Sequence, residues 1–139
     1  MASEPGNKVG FLSEEWLEVA RDVLNEIVTR HGKPGDYFSL CERFTDAPTS
    51  IAPSGLASWH FRINGTSVQA DSGEINDADV TITTDYQAIL PMARLVYSPD
   101  NADLRKSHAD KHPSRIDGDI SKVPPYLGEL HNRLAVVTA

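Results

Sequence analysis

Hydrophobic and polar residues alternate along two neighbouring segments of the chain, and an Asn-Gly dipeptide separates the two. This combination is the strongest short-range signal for a β-hairpin. With the turn at Asn64 and Gly65, the predicted cross-strand pairs are Ile63–Thr66, Phe61–Val68 and Trp59–Ala70. The resulting apolar face consists of Trp59, Phe61, Ile63, Val68 and Ala70, and the polar face of Ser58, His60, Arg62, Ser67 and Gln69. We therefore expect a sheet whose apolar face is covered by helices or by an apolar ligand.

The segments before the hairpin predict one helix and one strand. The helix begins after Ser13, which favours the N-cap position, and ends at Gly32. Its apolar residues recur at helical spacing and are Trp16, Val19, Ala20, Val23, Leu24 and Ile27. Residues 37–44 alternate and predict a strand. Glu42 occupies an apolar position of that strand, so either the strand frays there or the carboxylate has a specific role.

The segments after the hairpin predict further strands and helices. A strand over residues 78–84 leads into a helix capped by Thr84 or Asp85. Its apolar residues are Ile89, Leu90, Met92, Ala93, Leu95 and Val96, and Pro91 predicts a kink or a restart among them. A polar helix over residues 102–111, a strand over residues 114–118 and a last helix interrupted early by Pro124-Pro125 complete the order. Strands that cluster in sequence between helices predict an α+β fold.

Composition and charge restrict the domain organisation and the partners. The 139 residues suffice for one core, and we expect a flexible N-terminus over residues 1–10 and a single domain over residues 11–139. A net charge of −7 and a pI of about 5.1 argue against nucleic-acid partners and against tight docking on anionic membranes. No segment approaches transmembrane length, so an integral membrane protein is not expected. Cys41 is the only cysteine, which favours a cytoplasmic location.

Residues typical of catalysis occur only in weak patterns. His108 and His112 would share one helix face and could bind zinc with a third ligand, but the metalloprotease pattern requires Glu where Ala109 stands. They are weak metal candidates, and a solvated helix is the alternative. His60 has no recognisable nucleophile to activate, and a lone Cys41 is more typical of a buried structural position. No phosphate loop or dinucleotide fingerprint is present, so we predict no cofactor and no catalytic residues.

Three segments carry a resemblance through their order and spacing: residues 59–65 (WHFRING), 77–86 (DADVTITTDY) and 115–119 (RIDGD). Together they resemble the sterol carrier protein type-two (SCP2) family. Residues 77–86 are similar to the strand of that family that leads into a helix, residues 59–65 to its central hairpin, and residues 115–119 to the strand before its last helix. The resemblance covers roughly residues 37–139. It implies a five-stranded, mostly antiparallel sheet covered by helices on one face, an apolar tunnel for fatty acyl chains, acyl-CoA or sterols, and no catalytic residues.

The sequence leaves three functional hypotheses. The first is non-catalytic binding or transfer of an apolar small molecule or lipid in a cavity between sheet and helices. The second is a metal-dependent enzyme that uses His108 and His112. The third is an accessory subunit of an enzyme, or an interaction domain or homodimer, whose apolar stripe over residues 126–137 packs on a partner. For the first hypothesis, the predicted cavity residues are Phe38, Trp59, Phe61, Ile82, Leu90, Met92, Val96, Tyr126 and Leu130. Trp16 and Tyr97 are further large residues that could belong to the core or to the cavity.

Overall fold

The structure is a computed structural model, and it describes residues 8–139. The helices and strands of this part of the chain follow one another as α1 (Glu14–His31), β1 (Tyr37–Thr45), β2 (Ala57–Asn64), β3 (Ser67–Ser72), β4 (Val80–Asp85), α2 (Tyr86–Ala93), α3 (Ala102–Lys111), β5 (Arg115–Gly118) and α4 (Leu130–Ala135). Short 3₁₀ segments occur at Pro99–Asn101, Ile120–Lys122 and Pro125–Glu129. The element order is the one that the hydrophobic pattern predicts.

The five strands form one sheet in the order β3-β2-β1-β4-β5. All neighbouring strands are antiparallel except β1 and β4, which are parallel. The predicted α+β class with a five-stranded, mostly antiparallel sheet is therefore confirmed. The face that carries Trp59 and Phe61 packs against helices, since the indole of Trp16 on α1 lies 5.2 Å from that of Trp59.

The predicted faces of the hairpin are correct, but its predicted register is wrong by two residues. Ile63 pairs with Val68, Phe61 with Ala70 and Trp59 with Ser72. A shift of two residues keeps every side chain on its face, because side chains of a strand alternate with a period of two. Trp59, Phe61 and Ile63 are accordingly buried, and Arg62 and Gln69 are exposed.

Local signals fix the ends of the helices. The Ser13 hydroxyl accepts a hydrogen bond from the Trp16 amide at 3.2 Å, which confirms it as the N-cap of α1. Asp85 caps α2 in the same way, because its Oδ1 accepts from the Ala88 amide at 2.8 Å. The helix continues through Pro91 but ends at Ala93. The prediction that Leu95 and Val96 belong to this helix is therefore wrong.

The connection from β3 to β4 crosses the polar face of the sheet. His60 Nδ1 contacts the Gly73 carbonyl at 2.8 Å, and Arg62 pairs with Asp77 at 2.6 Å. At the end of the crossing, the Ser39 amide donates to Asp79 Oδ2 at 2.9 Å. The crossing leaves the Cys41 side chain fully buried, and this burial raises the pKa of its thiol. The connection over residues 73–79 is thus a strap that is fixed to the sheet.

The two ends of the described chain meet beside α1. The Val9 amide donates to the Val137 carbonyl at 2.8 Å, and the Ala139 amide donates to the Val9 carbonyl at 2.8 Å. The indole of Trp16 donates to the buried Thr138 hydroxyl at 3.1 Å. Most of the predicted flexible segment, residues 1–7, lies outside the described residues, and the single domain over residues 11–139 stays a prediction.

Candidate functional site

A cavity lies between the apolar face of the sheet and the helices, and we call it the sheet–helix pocket. Its volume is about 330 Å³, near the lower end of the roughly 300–1,000 Å³ typical of small-molecule sites. The sheet contributes Phe38, Leu40, Phe44, Trp59, Phe61 and Ile82. The helices and the segment before α1 contribute Phe11, Trp16, Ile89, Ala93, Leu130 and Leu134. The two 3₁₀ segments near the C-terminus and their junction add Ile120, Val123 and Leu127.

Aromatic rings build the rigid end of the pocket. The ring of Phe11 lies edge-on to Trp16 at 5.2 Å, and Trp16 lies edge-on to Trp59 at 5.2 Å, both with an interplanar angle of 89°. Trp59 in turn contacts Phe61 at 5.6 Å. Edge-to-face pairs at these separations are favourable. The alternation of β2 places Trp59 and Phe61 on one face, so the strand itself positions this wall.

Three polar side chains interrupt the hydrophobic lining: Glu42, Tyr97 and His131. Trp59 Nε1 donates to Glu42 Oε1 at 2.9 Å, so β1 does not fray at the carboxylate. The His131 ring stacks on Tyr97 with their centroids 3.7 Å apart. His131 Nε2 lies 2.8 Å from the Leu95 carbonyl oxygen, and because a carbonyl can only accept, this nitrogen carries the proton.

Burial dominates the electrostatics of the pocket. It raises the pKa of Glu42 above its usual 4.5, and the hydrogen bond from Trp59 offsets only part of this effect. Burial also raises the pKa of the Tyr97 hydroxyl. The positive charge of Arg105 lowers this pKa, and a negative charge on Glu42 raises it further. The pKa of His131 is lowered by burial, so its neutral form is favoured. The uncharged forms of all three groups are therefore favoured by the apolar surroundings.

The raised pKa of Glu42 predicts a pH-dependent stability. Folding holds a proton that the unfolded chain loses near pH 4.5, so the free energy of unfolding falls as the pH rises from there through the higher pKa of the folded state. Glu42→Gln removes this loss and is expected to gain stability relative to wild type as the pH rises above 4.5, as measured by thermal unfolding. The other titratable and charged groups at this end of the pocket are Tyr97, His131 and the Arg105 guanidinium above Tyr97, and the substitution leaves all three in the protein.

Glu18→Gln provides the control for this experiment. Glu18 lies on the exposed side of α1, and the substitution makes the same change of net charge. A pH-dependent gain for Glu42→Gln no larger than that of Glu18→Gln would show that burial of the Glu42 carboxyl has no energetic consequence.

The structure brings together five of the nine predicted cavity residues. Phe38, Trp59, Phe61, Ile82 and Leu130 all line the sheet–helix pocket. The first four lie on strands, where alternation along the sequence determines the face directly. That they bind a ligand stays a prediction.

The other four predicted residues lie outside the lining. Ile89 and Ala93, four residues apart on α2, face the pocket, so Leu90 and Met92 point in other directions. Val96 follows the end of α2 and is 44% exposed. Tyr126 stacks on His31 at 6.2 Å and lines a different surface concavity. These four residues therefore do not line the sheet–helix pocket, and a role in ligand binding stays a prediction for them.

The weak metal candidates do not converge on a site. His108 Nε2 contacts the Ala88 carbonyl at 2.6 Å, and its ring lies 4.9 Å from that of His112. Within residues 8–139, no group of three or more His, Cys, Asp or Glu side chains is arranged to hold a metal ion. The contact to the carbonyl places a proton on His108 Nε2, so Nδ1 is the ring nitrogen that keeps a free lone pair.

Comparison with known proteins gives the fold a class. No family model matches the chain, and no curated protein matches it either. Comparison with solved structures shows that the chain has the SCP2-like fold. A crystal structure of sterol carrier protein 2 superposes with a TM-score of 0.58 at 20% identity, covering 92% of this chain and 99% of that chain.

A second solved structure supports the same fold. It is the solution structure of a conserved hypothetical protein from Thermus thermophilus, described as possibly a sterol carrier protein. The TM-score is 0.52 at 16% identity, and the match covers 99% of this chain and 96% of that chain. The resemblance read from three short segments is thus confirmed for the fold. Within the described residues, no helix is both long and apolar enough to cross a membrane.

Proposed function

We propose that the protein binds an apolar small molecule, or the apolar end of a larger one, in the sheet–helix pocket without changing it chemically. The observation that carries this proposal is the lining, which is hydrophobic at all but three positions. Pockets of this kind, with a few convergent polar groups, are typical ligand sites. The SCP2-like fold adds support, because both similar structures are described as sterol carriers, one of them as a possible one.

The size of the pocket narrows the ligand. A non-hydrogen atom takes up about the volume of a water molecule, roughly 30 Å³. A pocket of about 330 Å³ therefore holds about ten such atoms. A medium-length fatty acyl chain fits this volume. A sterol or an acyl-CoA would have to leave a large part of itself outside, or the helices would have to move apart.

The polar groups of the pocket are held by structural hydrogen bonds. The carboxyl of Glu42 accepts from Trp59, and the ring of His131 donates to a backbone carbonyl. Neither is aimed at the other as an acid–base pair would be. This arrangement supports binding without catalysis. As a separate proposal, we place the protein in the cytoplasm.

Filling the pocket tests the proposal directly. Ala93→Phe places a ring in the sheet–helix pocket, which Ala93 lines, and is expected to weaken binding of 1-decanol at least about tenfold. Displacement of a fluorescent apolar probe, followed by titration calorimetry, measures the change. A wild-type protein that binds neither the probe nor any ten-carbon ligand would contradict the proposal.

Ala109→Phe is the matched control. Ala109 is exposed on α3, outside the pocket lining, so the same substitution leaves the pocket unchanged. We expect wild-type affinity from this variant. Equal loss of affinity in both variants would show that the probe does not bind in the sheet–helix pocket.

The third hypothesis loses its structural basis. Leu127, Leu134 and Ala135 from the proposed docking stripe are buried in the core of this chain, and Val136 is the large exposed hydrophobic residue that remains there. A homodimer or an enzyme partner stays a prediction that this stripe no longer supports.

A further inference from the structure

We propose that Glu42 makes the sheet–helix pocket selective for apolar ligands whose polar end donates a hydrogen bond, such as an amine or an alcohol, and unfavourable for carboxylates. This inference rests on the proposed binding function and specifies the chemistry of the ligand. The medium-length hydrocarbon chain that fits the pocket would accordingly belong to an alcohol or an amine rather than to a free fatty acid.

The position of the Glu42 carboxyl carries the first step. Its side chain points from the centre of β1 to the helix-covered face, and β1 pairs there with β2 and β4 on either side. Oε1 accepts the indole hydrogen of Trp59 at 2.9 Å. Among the described residues, Oε2 has no hydrogen-bond donor, and Glu42 is part of the pocket lining. A ligand that donates a hydrogen bond can therefore satisfy this oxygen.

The charge balance of the pocket carries the second step. No Lys or Arg side chain belongs to its lining among the described residues. The nearby Arg105 packs over the Tyr97 ring at 4.6 Å and donates to Asn101 Oδ1 and to the Ser98 carbonyl at 2.8 and 3.1 Å. It is thus engaged outside the lining. A carboxylate ligand would bring a negative charge into apolar surroundings without a cation to offset it, and at most one of two neighbouring acidic groups can ionise there.

The other polar groups of the pocket do not reverse this preference. His131 Nε2 donates its hydrogen to the Leu95 carbonyl, so in the neutral ring the other nitrogen, Nδ1, can accept a hydrogen bond but not donate one. The Tyr97 hydroxyl is a single neutral group. A ligand amine or hydroxyl finds acceptors in Glu42 and His131, whereas a carboxylate finds no positively charged donor in the lining.

Three ligands with one chain length test the selectivity. Decylamine, 1-decanol and decanoate have the same apolar body and differ at the polar end, and each is titrated below its micelle concentration at pH 7.5. We expect the wild-type protein to bind the amine and the alcohol at least about tenfold more tightly than the carboxylate. The wild-type protein alone answers this question, so the result does not depend on any variant folding.

Glu42→Gln identifies the residue responsible. The Gln oxygen can still accept from Trp59, but the side chain can no longer ionise to pair with a cationic ligand. We expect decanoate to bind more tightly to this variant and decylamine to bind less tightly. The affinity for decylamine divided by the affinity for decanoate should therefore fall about tenfold or more. Glu18→Gln, which removes an exposed charge on α1, should leave the ratio unchanged.

The outcomes separate this inference from the proposed function. If none of the three ligands binds to the wild-type protein, the proposed function fails. If all three bind with equal affinity and Glu42→Gln leaves their ratio unchanged, the pocket binds apolar ligands but Glu42 does not select them. A ratio that changes equally in Glu42→Gln and Glu18→Gln would also overturn the inference, because it would reflect net charge alone.

Discussion

Phe61→Ala is expected to lower the free energy of unfolding by about 3–5 kcal/mol. Phe61 is 1% exposed in the middle of β2, where its ring contacts Trp59 at 5.6 Å and Phe38 at 6.2 Å. Removing the ring loses these aromatic contacts and enlarges the space between sheet and helices. The neighbouring pocket cannot close over the gap, because Trp59 and Trp16 hold its other wall. Urea denaturation followed by circular dichroism measures the loss.

Tyr37→Ala is the matched control for Phe61→Ala. Tyr37 begins the neighbouring strand β1 and is 73% exposed, so we expect a change within about 0.5 kcal/mol. A loss for Phe61→Ala as small as that for Tyr37→Ala would mean that the apolar face of the sheet is not packed as described. The same titration of 1-decanol should also show weaker binding for Phe61→Ala, because the ring lines the pocket.

The hairpin shows which part of a strand pairing a sequence determines. Alternation predicts the buried face, and that prediction is correct for Trp59, Phe61 and Ile63. It cannot distinguish two registers that differ by two residues, since both bury the same side chains. The structure places Gly65 and Thr66 in the loop, with Gly65 at φ 64° and Asn64 paired with Ser67. Gly at the first central position favours a type II′ turn, whereas the prediction placed Asn64 and Gly65 at the two central positions.

The pocket divides in the same way between predictable and unpredictable residues. Its strand residues follow from alternation, which is a local property. The helix residues that line it depend on how each helix is rotated over the sheet. In α2, Ile89 and Ala93 face the pocket, whereas Met92 is buried elsewhere. Where α2 ends also could not be predicted, because the last apolar residues continue the helical spacing beyond Ala93. Tertiary packing decides these points.

Glu42 was detectable in the sequence only as an anomaly. A carboxylate on the apolar side of β1 contradicts the alternation, and the sequence alone allowed either a frayed strand or a specific role. The structure removes the first alternative, because β1 pairs continuously from Tyr37 to Phe44 with β2. The indole of Trp59, seventeen residues further along the chain, supplies the hydrogen bond that local patterns could not indicate. Departures from pattern of this kind are expected at functional sites.

The end of α1 illustrates a correct prediction with a different physical cause. Gly32 ends the helix as predicted, but its φ of −65° is open to any residue, so the usual left-handed conformation is not the reason for glycine. Instead, the backbone of the hairpin turn approaches Gly32 closely. A Cβ atom at this position would meet the Gly65 carbonyl oxygen and would lie 2.6 Å from the Val28 carbonyl oxygen.

Gly32→Ala is therefore expected to lower the free energy of unfolding by about 3 kcal/mol. Neither backbone segment can yield easily. The Val28 carbonyl accepts the last helical hydrogen bond of α1 at 2.7 Å, and the turn is held by the bond from the Gly65 amide to the Asp36 carbonyl at 2.7 Å. Relief of the clash must either break one of these bonds or move the hairpin away from the helix. Urea denaturation gives the change in stability.

Gly128→Ala distinguishes this steric effect from a general intolerance of alanine at glycine positions. A Cβ atom on Gly128 meets no atom within 4 Å, and its backbone does not adopt a positive φ. Alanine there restricts the unfolded chain and is expected to raise stability by about 0.4–1 kcal/mol. A Gly32→Ala variant as stable as Gly128→Ala would contradict the close approach of α1 and the hairpin turn. Because that approach positions β2 relative to α1, it would also question the placement of Trp59 against Trp16 and the shape of the pocket between them.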